Sequence, residues 1–173
     1  IGNVYKARDE YDPAEKHYLE AEQVLARHQH RGELTNLLSS LGSLYSVRGQ
    51  HEKALATLER ARRLAVAAKN TDDELTVLIN QGNALARCEQ NKKAIDAYRS
   101  AYRLLDGQTT YESHSLLLVN WLMSALEEGD LVEAERVGGE LRRLARKNDT
   151  RAQTALAFLE RVPKDLRTSK KKL

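Results

Sequence analysis

The sequence predicts an all-α fold in which about four helix pairs stack into a solenoid, closed by a C-terminal helix, and three observations carry that expectation. The first is self-similarity at a spacing of forty residues. The stretch Leu41-Gly42-Ser43-Leu44-Tyr45, followed by Ala54, Leu58 and Ala61, recurs upstream as Ile1-Gly2-Asn3-Val4-Tyr5 with Ala14, Tyr18 and Ala21. It recurs downstream as Gln81-Gly82-Asn83-Ala84-Leu85 with Ala94, Tyr98 and Ala101. Units repeated in this way bury their apolar faces only against one another. The second is helical periodicity within each copy, apolar or small residues returning at i, i+4 and i+7. The third is composition: 31% charged residues, 5% aromatic, nine glycines and two prolines favour long alanine- and leucine-rich helices over sheet.

Taken in order, residues 1–30 read as a partial repeat. Ile1 to about Arg8 end one helix, and Asp12 and Pro13 are expected to open the next, as an N-cap acceptor and a first-turn proline. Its face carries Ala14, Tyr18, Ala21, Val24 and Leu25, and the stretch His28 to Gly32 is expected to break it as a solvated loop. Two histidines one residue apart, without a cysteine or carboxylate pair at zinc spacing, do not make a metal site. The repeat 31–70 has an apolar stripe of Leu37, Leu38, Leu41, Leu44 and Tyr45, then Gly49 at the place of a left-handed helix C-cap. A second helix runs from about His51, with Ala54, Leu55, Leu58, Ala61 and Leu64 inward, to a stop at Lys69-Asn70. Gly42 and Ala54 are expected to face each other, so that two backbones approach closely while Tyr45 and Leu58 fill the flanks.

In the repeat 71–109, Thr71, Asp72, Asp73 and Glu74 supply a cap and an acidic first turn, and a break is expected at Asp106-Gly107. The repeat 110–148 keeps the length but places Leu122 in the glycine column and Gly138 in the bulky column, a swap of large for small across the pair. Residues 149–162 read as a capping helix with Ala152, Ala155, Leu156 and Leu159 on one face, ended by Pro163. The segment 163–173 is a basic tail with little that could fold.

The charge sits mostly in that tail. Lys164, Arg167, Lys170, Lys171 and Lys172 stand against one acid, Asp165, and leave the repeats nearly balanced, so a nucleic-acid surface on the fold is not expected beyond weak contact through the tail. Arginines late in the second helices, such as Arg60, Arg62, Arg63, Arg142 and Arg143, suit the helix dipole on a solvated face. Cys88 excludes an internal disulfide and reads as a small residue filling space on a helix. His17, His51 and His114 lie among charged neighbours as surface histidines. No glycine-rich phosphate loop after a strand, no HExxH and no assembled nucleophile-base pair points to catalysis. No enzyme activity, cofactor or metal is expected. No run is long enough to span a membrane, and a cytoplasmic location is the expectation, with any targeting segment upstream of Ile1.

The pattern of a small residue, Gly and Tyr on the first helix, then Ala, a bulky residue and Ala on the second, resembles the tetratricopeptide repeat. The likeness is fullest in the repeat 31–70, good in the repeats on either side and weak in the repeat 110–148. Leu38 replaces the family's early tryptophan, and Ala26 or Val66 its helix-ending proline. The spacing exceeds the usual unit of about 34 residues and is similar to the longer repeats of kinesin light chains and Pins-type regulators of spindle orientation. The resemblance implies a right-handed α-α superhelix whose first helices line a concave groove for a peptide or a helical segment of a partner protein. By that likeness the groove residues are Asn3, Asn36, Ser39, Ser40, Ser43, Asn80, Asn83, Arg87, Leu116, Val119, Asn120 and Met123. Asparagine suits the role because a carboxamide donates and accepts at once.

Asn and Ser are also weaker helix formers than the Glu and Lys used elsewhere in this chain. A carboxylate clamp of the kind found in the chaperone-binding subset is not expected, since only the Asn3 column fits it. Leu116, Val119 and Met123 give the last third of the groove an apolar floor, either covered by the terminal helix or open to the apolar face of a partner helix. The function expected is a non-catalytic scaffold or adaptor. The alternative is a regulatory or self-associating segment of a larger enzyme or transcription regulator.

Overall fold

The computed structural model describes residues 1–105, 111–145 and 150–161. Its helices follow one another as α1 (Gly2–Ala7), α2 (Tyr11–Arg27), α3 (Arg31–Val47), α4 (His51–Ala68), α5 (Thr71–Arg87), α6 (Asn91–Leu104), α7 (Tyr111–Glu128), α8 (Leu131–Ala145) and α9 (Thr150–Arg161). No strand occurs among the described residues, and the all-α expectation holds. The starts of α2, α4, α6 and α8 are forty residues apart, as are those of α3, α5 and α7. The expected breaks at Asp106-Gly107 and Pro163, and the basic tail, lie outside the described residues.

The helix boundaries correct several local expectations. Helix α2 opens at Tyr11, with Glu10 at the N-cap position and no side-chain cap bond. Asp12 and Pro13 therefore lie inside the first turn, where the missing N–H of proline costs nothing because those donors have no intrahelical partner. The break after α2 covers His28 to His30, and Gly32 is already in α3. Asn70, expected only as a stop, caps α5: its Oδ1 accepts from the Asp73 backbone N–H at 3.1 Å. Thr71 becomes the first helical residue. Gly49 takes the expected left-handed conformation with φ +73°. So do three residues the sequence did not flag in the same columns or turns, Asp9, Glu89 and Gly129, and Gln29 and Lys69 between repeats. Cys88 is not within a helix but is the C-cap of α5, its thiol donating to the Leu85 carbonyl at 3.3 Å.

The chain forms two compact units, Ile1–Gln90 and Asn91–Leu173. In the first, α1 packs on α2, α2 on α3, α3 on α4 and α5, and α4 on α5. Its core joins Ala14, Tyr18, Leu38, Leu41, Leu44, Tyr45, Ala54, Leu58, Ala61, Val77 and Ala84. The tightest approach is at the repeat glycine, and Ala54 is not its main occupant. A Cβ on Gly42 would lie 2.6 Å from Leu58 Cγ and 3.3 Å from the Ala54 carbonyl oxygen, and one on Gly2 would lie 2.7 Å from Tyr18 Cε1. The missing side chain thus makes room for the bulky residue sixteen positions on, a packing that close-packed interiors do not relax easily.

The second unit packs α6 on α7, α7 on α8, and α9 on both α7 and α8. Trp121, Leu117, Leu118, Leu122, Val137 and Leu141 are buried. Leu122 and Gly138 are both inside, as the size swap requires. In the capping helix Ala152 is buried and Leu156 half-buried; the side chains of Ala155 and Leu159 lie outside the described residues.

Candidate functional site

In the first unit, some of the polar residues singled out on α1, α3 and α5 come together, through a cleft and side-chain bonds that involve neither Asn83 nor Arg87. Asn3, Asn36 and Ser40 line a cleft of about 530 Å³ together with Gly2, Tyr18 and Leu37. Asn3 is exposed, and its Oδ1 accepts from the Tyr18 hydroxyl. One turn further along α1 and α3, the Lys6 ammonium donates to Ser43 Oγ at 2.8 Å. Between α5 and α3, Asn80 Nδ2 donates to Ser39 Oγ at 2.8 Å. Ser39 is 4% exposed and lies beneath Asn80, so it supports the surface from below, while Asn80, Asn83 and Ser40 are half-buried and Asn36 and Arg87 exposed.

Lys6 is the residue that sequence reasoning missed. A lysine in a short helix carries no signal of its own; only the fold turns it toward Ser43. Burial holds its ammonium below the usual lysine value, and among the described residues no charged partner offsets that.

Several other charged side chains of this unit are tied to neighbouring helices. Arg48 bridges Glu15 at 2.6 Å and Asp12 at 2.8 Å, and the Tyr45 hydroxyl donates to Glu15 at 3.0 Å. Burial first, and then that hydrogen bond, push the Tyr45 phenol up to about 12. Arg60, Arg62 and Arg63 pair with Glu22, Glu74 and Glu59, so this basic run is an ion-paired helix face. His17 is half-buried and stacks on Tyr5 with ring centroids 5.3 Å apart, where a solvated surface histidine was expected. Among the described residues no group of three or more metal-ligating side chains comes together, and no helix is long and apolar enough to cross a membrane.

In the second unit, α7 carries Leu116, Val119, Asn120 and Met123. Although α9 packs on α7, Leu116 and Met123 stay 42% and 37% exposed, and Val119 and Asn120 are half-buried. These exposures are those of the described residues. Trp121 points the other way, fully buried, with the Arg136 guanidinium 4.4 Å from its ring centroid and Tyr102 edge-on at 5.8 Å. Glu133 holds Arg99 and Arg136 at 2.9 Å each, and the hydrogen bond from Arg136 is the main reason its carboxyl lies below the usual glutamate value.

Helices in a forty-residue register, with a glycine under a bulky side chain where α1 meets α2 and where α3 meets α4, define an α-helical repeat protein. Within it, residues 33–106, from α3 to just past α6, match the family model of the tetratricopeptide repeat. Repeats of this family generally mediate protein–protein interaction and are a typical non-catalytic module. No curated protein matches the chain.

Proposed function

We propose that the chain is a non-catalytic scaffold that binds a peptide or helical segment of a partner protein on the faces of its odd-numbered helices. The observation that supports this reading most is the convergence in the first unit. Asn3, Asn36, Ser40, Ser43 and Asn80 come from three helices, yet cleft lining and side-chain bonds connect α1 to α3 and α3 to α5. Such a surface offers donors and acceptors to the backbone of an extended segment, and it is largely uncharged. The exposed Leu116 and Met123 of the second unit suit the apolar face of a helix. The forty-residue register supports the likeness to the longer repeats of kinesin light chains and Pins-type regulators.

The test is selection of peptides from a displayed random library on the intact chain, then titration of one selected peptide. Asn80→Ala with Asn83→Ala is expected to weaken it about ten-fold or more, as loss of two neutral hydrogen bonds implies. Unchanged affinity would remove the asparagines from the proposed surface.

A further inference from the structure

Lys6 has an environment unlike that of the cations paired around it. The arginines of the first unit with named partners rest on carboxylates: Arg48 on Asp12 and Glu15, Arg60 on Glu22, Arg62 on Glu74, Arg63 on Glu59. Lys6 is half-buried, and its hydrogen-bond partner is a neutral hydroxyl, Ser43 Oγ at 2.8 Å. Among the described residues no carboxylate pairs with it, and burial is the one cause acting on its ammonium.

An ammonium partly removed from water and left without a counter-charge is costly, and protein interiors ordinarily pair such a group. Lys6 retains two further N–H donors, since an ammonium has three. Ser43 Oγ accepts one of them and keeps its own hydroxyl hydrogen to give. Together they form a short donor pair that lacks an acceptor of negative charge.

We propose that Lys6 and Ser43 receive the side-chain carboxylate of an Asp or Glu in the bound peptide. The proposal rests on the peptide-binding reading above and deepens it, because it gives the ligand a chemical requirement. Charge complementarity selects the occupant: one ammonium beside one hydroxyl offers a carboxylate a charge-assisted bond and a neutral one. A cation on Ser43, with the uncharged Asn3 and Ser40 one turn away along the same two helices, suits a single acidic side chain within an otherwise neutral stretch. A terminal carboxylate would call for several converging donors of charge.

The experiment is selection from the displayed random-peptide library on the intact wild-type chain and, in parallel, on Lys6→Met and Lys6→Arg. Wild type is expected to enrich peptides with Asp or Glu at one fixed position. Lys6→Arg is expected to keep that preference, while Lys6→Met reduces it to the library background yet keeps the remaining sequence preference. For one wild-type-selected peptide, Lys6→Met is expected to weaken binding about ten-fold.

Thermal melting checks that the variant folds; Lys6→Met is expected to melt at or above the wild-type temperature, because an unneutralised ammonium leaves a partly buried site. Enrichment without an acidic position, or the same acidic position on Lys6→Met, overturns this proposal and leaves the peptide-binding reading standing. Loss of binding when a selected peptide is resynthesised with an amidated C-terminus assigns the carboxylate to the terminus and likewise overturns it. Failure of any peptide to enrich on wild type overturns both.

Discussion

The two compact units solve one packing problem in opposite ways. In Ile1–Gln90 the close crossing of paired helices is made by a glycine on the first helix, with Leu58 or Tyr18 of the second filling the space over Gly42 or Gly2. In Asn91–Leu173 the helix pair α7 and α8 reverses the sizes, with Leu122 in the glycine column and Gly138 in the bulky one, both buried. The units differ in their polar ties as well. The first joins helices by Tyr45, Glu15 and Arg48, whereas the second joins them by Glu133 between two arginines, with Arg136 also lying over Trp121. The summed size of the facing residues is thus kept at these contacts, while which helix supplies the large side chain, and the sign of the charge in excess at the polar tie, both change.

This comparison can be broken most sharply at Gly42. Gly42→Ala places a methyl 2.6 Å from Leu58 Cγ and beside the Ala54 carbonyl, so it is expected to cost about 1–3 kcal/mol through overpacking. Hydrogen exchange should show protection falling in the amides of α3 and α4. Equal loss of protection throughout the second unit would mean that the two units unfold together.

The next effect concerns the polar tie of the second unit. Glu133 is buried and its folded pKa is depressed, chiefly by the hydrogen bond from Arg136 and also by that from Arg99. Its contribution is therefore fully present above the unfolded glutamate value of about 4.3 and is lost as pH falls through the lower folded value. Glu133→Gln is expected to cost about 1–2 kcal/mol at pH 7, the figure being held down by the exposure of both arginines. In urea denaturation the difference between wild type and variant should begin to shrink as pH falls past the unfolded value and should vanish below the lower folded value. A difference that persists there would mean that shape, not charge, holds the contact.

The smallest effect has the opposite sign. Gly139 lies in the interior of α8, and a Cβ there would meet nothing within 4 Å. Gly139→Ala is expected to stabilise by up to about 1 kcal/mol through helix propensity, read as a raised melting temperature. Destabilisation would show that the open space is needed for packing.

Much of the fold could be read from the residues because its signals are periodic. Gly2, Gly42 and Gly82, with Ala14, Ala54 and Ala94, recur in columns that only a stacked helical repeat explains. Gly49 likewise announced its turn. The matching turns at Asp9 and Glu89 gave no such sign, because those residues adopt positive φ only where helices packed on either side impose it. The candidate surface was legible by column and not by role. Ser39 was singled out only as a polar neighbour of those columns, its own register partners being Ile79 and Val119, and it lies buried with its Oγ under the Asn80 carboxamide.

By itself, then, the sequence determined the helical class, the forty-residue register and the positions of small and bulky residues, since these follow from periodicity and side-chain volume. Tertiary structure alone decided that Leu58 occupies the space over Gly42, that Leu116 and Met123 are partly exposed, and that Lys6 reaches Ser43 across thirty-seven positions with no acidic partner among the described residues. Those outcomes depend on which faces of separate helices meet. No local pattern encodes the distance between side chains that only packing brings together.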